Sequence, residues 1–299
     1  MNFQDRELGP LPTGYVAHRI GSTWLVLDEV HVKDLVQLRL ADPAVRRSLF
    51  ARAQRRGRGS TPSVPVNAEL RVVLRRYQHG GSLAGLTGSR FLGPSRALKE
   101  LEVTARAETG GAPVPHVLCL VLWPVLGPLW SALIGTREET QVDDLYESLV
   151  ALDDPRTRQS LLRAVGNAIR HLHEAGVEHR DLQLRNILVG RDEPSRIVVV
   201  DLDRARFHPS GTMPAGRRAA NLGRLARSAV KTGLWGNPRN ATRELAALVG
   251  AYSAGNRRLR VELRSYVGYE RLKLRAHQLT YPLRRWLRRW KAALPLRPA

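Results

Sequence analysis

Apolar residues run in short, β-branched stretches through the first half of the chain and recur at helical spacing through the second. Thr23–Leu27, Glu69–Tyr77, Val117–Leu122 and Leu129–Thr136 read as strands. One helix interrupts them, from about Pro94 to Thr109, with Leu98, Leu101 and Ala105 at helical spacing and Gly110-Gly111 to stop it. Val117 to Ile134 is apolar enough to raise the question of a membrane span, but Pro124, Gly127 and Pro128 break it. A lone spanning helix interrupted there would leave backbone groups unpaired in lipid, so the pattern predicts two buried strands joined by a Pro-Gly turn. Residues 155–175 put Leu161, Val165, Ala168, Ile169 and Leu172 on one helical face, with Asp153 or Asp154 to cap and Pro155 in the first turn. Ile187–Val189 and Ile197–Val200 read as a strand pair turning at Asp192–Ser195. No repeat of solenoid period is present. The pattern predicts an α+β chain, sheet-rich first and helical second.

Hydrophobic residues make up 43% of the 299, enough to bury a core and to exclude wholesale disorder. The net charge of +21 changes the picture more, because it attracts polyanions: nucleic acid, phosphorylated sugars or an acidic membrane face. Cys119 is the single cysteine, which excludes an internal disulfide and a cysteine metal cage and fits a reducing compartment. Residues 1–20 have neither the basic start nor the apolar run of a signal peptide. The expectation is a cytosolic protein, or one peripheral on a membrane.

The sharpest chemical signal is His179-Arg180-Asp181-Leu182-Gln183-Leu184-Arg185-Asn186, which fits the kinase catalytic loop at every fixed position. Its spacing has a mechanical reason. Asp181 has to accept the proton of an attacking hydroxyl, and Asn186 has to turn back from the same loop to hold a metal on the phosphates. An amphipathic helix ends just before the loop, at Glu174-Ala175-Gly176, and a strand pair follows it. The second strand ends at Asp201, where such folds keep a metal-bridging acid. Read alone, Asp201 could instead pair with Arg204 or Arg206, and Asp203 could bind a second metal or pair with Arg206.

Signals for the nucleotide are weaker. Gly57-Arg58-Gly59-Ser60-Thr61 could be a tight turn between strands whose N–H groups approach phosphates, or simply a flexible basic turn. Val72-Val73-Leu74-Arg75 sits where a kinase strand carries Val-Ala-Ile-Lys, with Arg in place of Lys. Glu100 could pair with Arg75, with Glu102 as competitor, or could face solvent. His171 and His173 are two apart and point to different helix faces, so they are not read as a metal pair.

Together these segments resemble the bacterial lipopolysaccharide kinase family, most of all its 3-deoxy-D-manno-octulosonic acid (Kdo) kinases. The glycine turn Gly57–Thr61, Val73-Leu74-Arg75-Arg76-Tyr77 with Gly80-Gly81, and Ala97-Leu98-Lys99-Glu100 leading to Ala112-Pro113-Val114-Pro115 carry the likeness. So do Asp201-Leu202-Asp203-Arg204, where Leu202 replaces a Phe, and the helix Arg217 to Lys231. The likeness covers roughly 48–232; residues 1–47 and 233–299 do not obviously match. The resemblance implies a bilobal protein-kinase-like fold. The pattern along the chain is expected to divide it into a β-rich nucleotide-binding lobe at 1–139, a helical catalytic lobe at 140–255 and a basic amphipathic extension at 256–299. The resemblance also implies ATP and Mg2+, with transfer of the γ-phosphoryl group to a Kdo hydroxyl on a lipid A precursor, at the cytoplasmic face of the inner membrane. On that reading Asp181 and Arg75 are catalytic, Asn186 and Asp201 hold the metal, and Gly57, Arg58, Gly59, Ser60, Arg75 and Glu100 serve the nucleotide.

Spacing adds an independent point. Only about twenty residues separate Asp201 from the helix near Asn221, and no Ala-Pro-Glu closes them, so a peptide substrate has little to dock on. At the C-terminus Leu283, Leu287, Trp290 and Leu294 recur at helical spacing among arginines. Such a helix can lie on anionic headgroups, or can pack on the helical lobe with its Arg stems over the core. No nucleic-acid-binding pattern is present, so contact with nucleic acid would be electrostatic and not specific. Competing readings are a kinase with another acceptor, a small molecule or a protein, and a polyanion-binding pseudokinase scaffold.

Overall fold

A computed structural model describes residues 8–53, 55, 56, 59–77, 91–208, 213–235, 238–263 and 266. The chain forms two compact units, Met1–Thr140 with Leu202–Ala205, and Gln141–Asp201 with Arg206–Ala299. The expected basic extension at 256–299, and the diglycine Gly80-Gly81, lie largely or wholly outside the described residues.

The first unit is built on an antiparallel sheet. Its strands are β1 (Tyr15–Ile20), β2 (Thr23–Asp28), β5 (Ser63–Pro65), β6 (Arg71–Arg76), β7 (Phe91–Leu92), β8 (Val117–Leu126) and β9 (Leu129–Arg137), with a separate two-residue pair between, β3 (Arg55–Arg56) and β4 (Gly59–Ser60). The order is β1-β2-β8-β9-β6-β5, and β7 also pairs with β9. The apolar run at 117–134 is thus a hairpin, turning at Gly127-Pro128 as expected. Both of its faces are covered. On one, Trp24, Val26, Leu120, Leu122, Ala132 and Ile134 pack against Ala97 and Leu101 of helix α3 (Ser95–Thr109). On the other, Leu25, Leu27, Val121, Leu133, Val72 and Leu74 pack with Leu35 of α1 (Val32–Gln37) and Leu40; Leu49 and Phe50 of α2 (Pro43–Arg52) also contribute. Alternation along each strand therefore sorts residues between two cores. Each fully buried Leu here contributes about 1.5–3 kcal/mol. At the centre the backbones leave no room for a side chain: a Cβ on Gly135 would stand 2.5 Å from Cys119 Sγ and 2.7 Å from Val72 Cγ2.

Two details depart from the expected pattern. The strand expected from Glu69 starts at Arg71, because Asn67 Oδ1 accepts from the Glu69 and Leu70 N–H groups (3.1 and 2.9 Å) and holds them in a turn. Residues 15–28, outside the resemblance, form a hairpin that continues the sheet beyond β8, with Trp24 opposite Leu122 and Leu27 opposite Cys119.

The second unit holds three strands, β10 (Val142–Asp144), β12 (Ile187–Gly190) and β13 (Ile197–Val199), and a two-residue pair, β11 (Val177–Glu178) and β14 (Arg206–Phe207). Its helices are α4 (Leu145–Val150), α5 (Pro155–Glu174), α6 (Ala215–Lys231) and α7 (Pro238–Tyr252). Asp154 caps α5, accepting from the N–H groups of Arg156 and Thr157, and Leu161, Val165, Ala168, Ile169 and Leu172 are buried on one face as their spacing predicts. α7 crosses α5 so closely that a Cβ on Gly166 would lie 2.3 Å from the Leu248 carbonyl oxygen. The bidentate pair of Arg158 with Glu244 (2.7 and 3.2 Å) ties the same two helices, and Trp235 Nε1 donates to Glu244 at 2.7 Å.

His171 is exposed and His173 fully buried, on different faces as expected. His173 Nε2–H donates to Asn221 Oδ1 (3.4 Å), and its Nδ1 accepts from the Tyr252 hydroxyl (2.8 Å), which accepts in turn from Arg218 (3.2 Å). Burial first, and then the Arg218 charge, push His173 down to about 3. Above pH 6.5 neither the folded nor the unfolded chain protonates this residue. Below it the unfolded chain takes up a proton that the folded chain refuses, so stability falls with pH, by about 2 kcal/mol at pH 5. His116 works in the opposite sense, its pKa raised first by a hydrogen bond to Glu108. The clean measurement is therefore urea unfolding of the wild type and a His173→Gln variant at pH 7.5 and 5. The variant should show a markedly flatter loss, and equal losses would refute the assignment.

Candidate functional site

In the second unit, α5 ends at Glu174, Gly176 turns the chain at φ +79°, and β11 delivers His179 into the interior. Burial holds the His179 imidazole below its usual pKa, hence neutral. Its Nε2–H donates to the Val200 carbonyl (3.0 Å), and its Nδ1 accepts the Asp181 N–H (3.2 Å). Val200 N–H in turn donates to the Asn186 carbonyl (3.0 Å), and Asn186 Nδ2 donates to the Asp181 carbonyl (2.9 Å). These four bonds form a closed circuit through the backbones of Asp181, Asn186 and the residue preceding Asp201. A protonated His179 could not accept from Asp181, so burial of this ring also maintains the loop.

Asp181 itself is exposed, and Gln183 Nε2 donates to its Oδ2 at 2.8 Å. That bond orients the carboxylate. Gln183 occupies a variable position of the motif, so nothing in the pattern singled it out. Asp201 is exposed and has φ +67°, a left-handed conformation that a non-glycine residue adopts at a cost. Such strain concentrates where a side chain must be aimed.

α6 packs beside the loop, with Ser228 Oγ accepting the Leu184 N–H at 3.3 Å. Arg224 of the same helix is half-buried, its pKa lowered by burial and then by Arg227. It also lies within the electrostatic reach of Glu178, Arg180 and Asp181.

In the first unit, Arg75 on β6 lies opposite Ile134, and its guanidinium pairs with Glu100 of α3, which is 5% exposed. The competitor Glu102 pairs instead with Arg106, one turn along the helix surface. Asp203 does not pair with Arg206. Its carboxylate takes a two-pronged ion pair from Arg96, with Nε to Oδ1 at 2.7 Å. Arg75 and Arg96 both stand over the buried Tyr77 ring, 5.1 and 5.7 Å from its centroid. Burial, then Glu100, raises the Tyr77 hydroxyl well above its ordinary value.

Of the glycine turn, Gly57 and Arg58 lie outside the described residues. Gly59 and Ser60, read as part of the turn, form the strand β4, paired antiparallel with Arg56 and Arg55.

The donor set fits a hard cation. Asn186 spends its amide nitrogen on the Asp181 carbonyl, which leaves Oδ1 as its donor, and Asp201 supplies carboxylate oxygens. Among the described residues no three His, Cys, Asp or Glu side chains form a cage. Mg2+ does not require one, since it is bound through one or two carboxylates with phosphates and water completing its shell.

Residues 44–252 match the lipopolysaccharide kinase (Kdo/WaaP) family. A 3-deoxy-D-manno-octulosonic acid kinase of Vibrio parahaemolyticus is 26% identical over 208 residues, covering 66% of this chain and 80% of that protein. One of Xylella fastidiosa is 31% identical over 182 residues, covering 58% of this chain and 68% of its own length. Among solved structures, WaaP in complex with acyl carrier protein superposes with a TM-score of 0.55 at 22% identity, over 84% of this chain and 98% of that one. The α+β fold is thus the kinase-like one that the sequence predicted. The family match runs past the expected limit of 232 to include α7, whose crossing at Gly166 completes the helical unit. With the family matched over 44–252 and the fold shared, this chain belongs to the lipopolysaccharide kinase (Kdo/WaaP) family.

Proposed function

We propose that the protein transfers the γ-phosphoryl group of ATP to a hydroxyl of Kdo on a lipid A precursor, working as a peripheral enzyme at the cytoplasmic face of the inner membrane. The observation that carries this reading is the closed circuit around Asp181, which fixes a carboxylate on a buried scaffold while leaving it open to solvent. Asp181 accepts the proton of the attacking hydroxyl, and Gln183 holds it in orientation. Asn186 Oδ1 and Asp201 hold Mg2+, which when bound neutralises charge on the phosphates. Arg75, steadied by Glu100, forks onto phosphate oxygens in place of the more usual lysine. Gly57, Arg58, Gly59 and Ser60 serve the same phosphates. Arg224 and its neighbours suit an acceptor that is itself acidic.

The test is incubation with radiolabelled ATP and a lipid A precursor, with and without Kdo, followed by chromatography of the lipid. Label is expected only on the Kdo-bearing lipid and only with Mg2+. Label on protein alone, or on the Kdo-free lipid, would reject Kdo as the acceptor.

A further inference from the structure

Among the described residues of the first unit, four of the six exposed large apolar side chains gather at one end of its sheet. The strand register fixes that end. Arg19 lies opposite Trp24, Trp24 opposite Leu122, and Leu122 opposite Ala132. Beyond this row stand Ile20, Leu92, Val125 and Leu126, which are 50%, 76%, 42% and 75% exposed. Leu126 and Leu92 both lie opposite Leu129, one on each side of β9, so two strand ends present leucine on its two flanks. Trp123 and Trp130 sit just behind them, half-buried. Single exposed leucines are ordinary, but a group of this kind at the tips of adjoining strands marks a contact surface.

Charge is sorted along the same axis. The segments 20–23, 91–94 and 123–131 contain no acidic residue. Arg19 stands exposed beside them, 5.3 Å from the Trp24 ring, whereas Arg46 is buried on the Leu40 and Ala41 carbonyls and Arg96 is paired with Asp203. Several acidic residues stand at the opposite end. Asp28 faces Tyr15 and bonds to His116, which also bonds to Glu108; Glu138 pairs with Arg71, and Asp34 bonds to Asn67.

The geometry points to this end of the sheet as a membrane-docking tip. Leu92, Val125, Leu126 and Ile20 enter the headgroup–acyl boundary of an anionic bilayer, Trp123 and Trp130 lie at headgroup depth, and the exposed Arg19 engages lipid phosphate. This deepens the proposed function by supplying the contact with the surface that carries the acceptor, and it rests on that reading only for its purpose.

Cys119 is fully buried, so a cysteine placed at the tip can be labelled selectively. The full chain carrying Leu126→Cys with a polarity-sensitive fluorophore is mixed with vesicles of phosphatidylcholine containing phosphatidylglycerol. Emission should brighten and shift to the blue, less so on pure phosphatidylcholine. The same dye at Val30→Cys, on an equally open position away from the tip (83% exposed), should stay silent. A Leu92→Ser/Leu126→Ser variant should lose about tenfold or more in vesicle affinity, yet phosphorylate a water-soluble, deacylated Kdo acceptor at the wild-type rate. A silent dye at 126 overturns the docking tip, whether the chain then binds vesicles through another segment or uses the tip for a protein. Failure of the wild type on the soluble acceptor would count against the proposed function and leave the dye result standing.

Discussion

Replacing Asp181 by Asn is expected to lower kcat by about a thousandfold, with ATP affinity nearly unchanged. The amide keeps the size of the carboxylate and can still accept from Gln183 and be held by the loop, but it cannot take a proton from the attacking hydroxyl. Because the circuit of hydrogen bonds uses the backbone of Asp181 and not its carboxylate, folding should be undisturbed. The measurement is steady-state kinetics on the Kdo-bearing lipid, with ATP binding followed by calorimetry. A variant of wild-type rate would remove Asp181 from the chemistry. A variant that lost ATP binding as well would show that the carboxylate serves the nucleotide instead.

The second large effect concerns Arg75. Removing its side chain takes the ion-pairing guanidinium away from the buried Glu100 carboxylate. Removing one partner of a buried ion pair costs about 3 kcal/mol, the low end of the usual range because Arg75 is itself partly exposed. Arg75→Ala should therefore fall by that amount in urea unfolding, and Arg75→Ala/Glu100→Gln should recover most of the loss. Arg75→Lys separates the two duties of the residue. It should retain most of the stability, since the charge remains, but raise the KM for ATP, since the fork is gone. If the single and double variants unfold alike, the pair contributes nothing to the fold.

What could be read in the sequence is what is encoded locally. The hairpin at 117–137 announces itself by two apolar runs around Gly127-Pro128, and α5 by its period, its cap at Asp154 and its Pro155. The catalytic loop is legible because its residues sit within eight positions, where spacing and geometry are nearly the same thing. Pairings over long separations are not. Arg96 and Asp203 are 107 residues apart, and a reading of neighbours offered Arg206 instead. β1 escaped notice because half of it is exposed and it carries polar residues on a sheet edge, so it shows little of the alternation of a half-buried strand. Gln183 escaped because its role lies in one hydrogen bond to a residue two positions away, which no pattern of residue types reveals.

The hairpin at 15–28 lies wholly before residue 44, where the family match begins. A fragment trimmed to the matched span would keep every residue assigned to chemistry, yet would strip β8 of the strand that now satisfies Cys119 to Leu122. That bared ribbon of amide and carbonyl groups, flanked by Val121 and Leu120, is an invitation to pair with another copy. For this protein the smallest piece that carries the family signature is therefore larger by two strands before it can stay in solution alone.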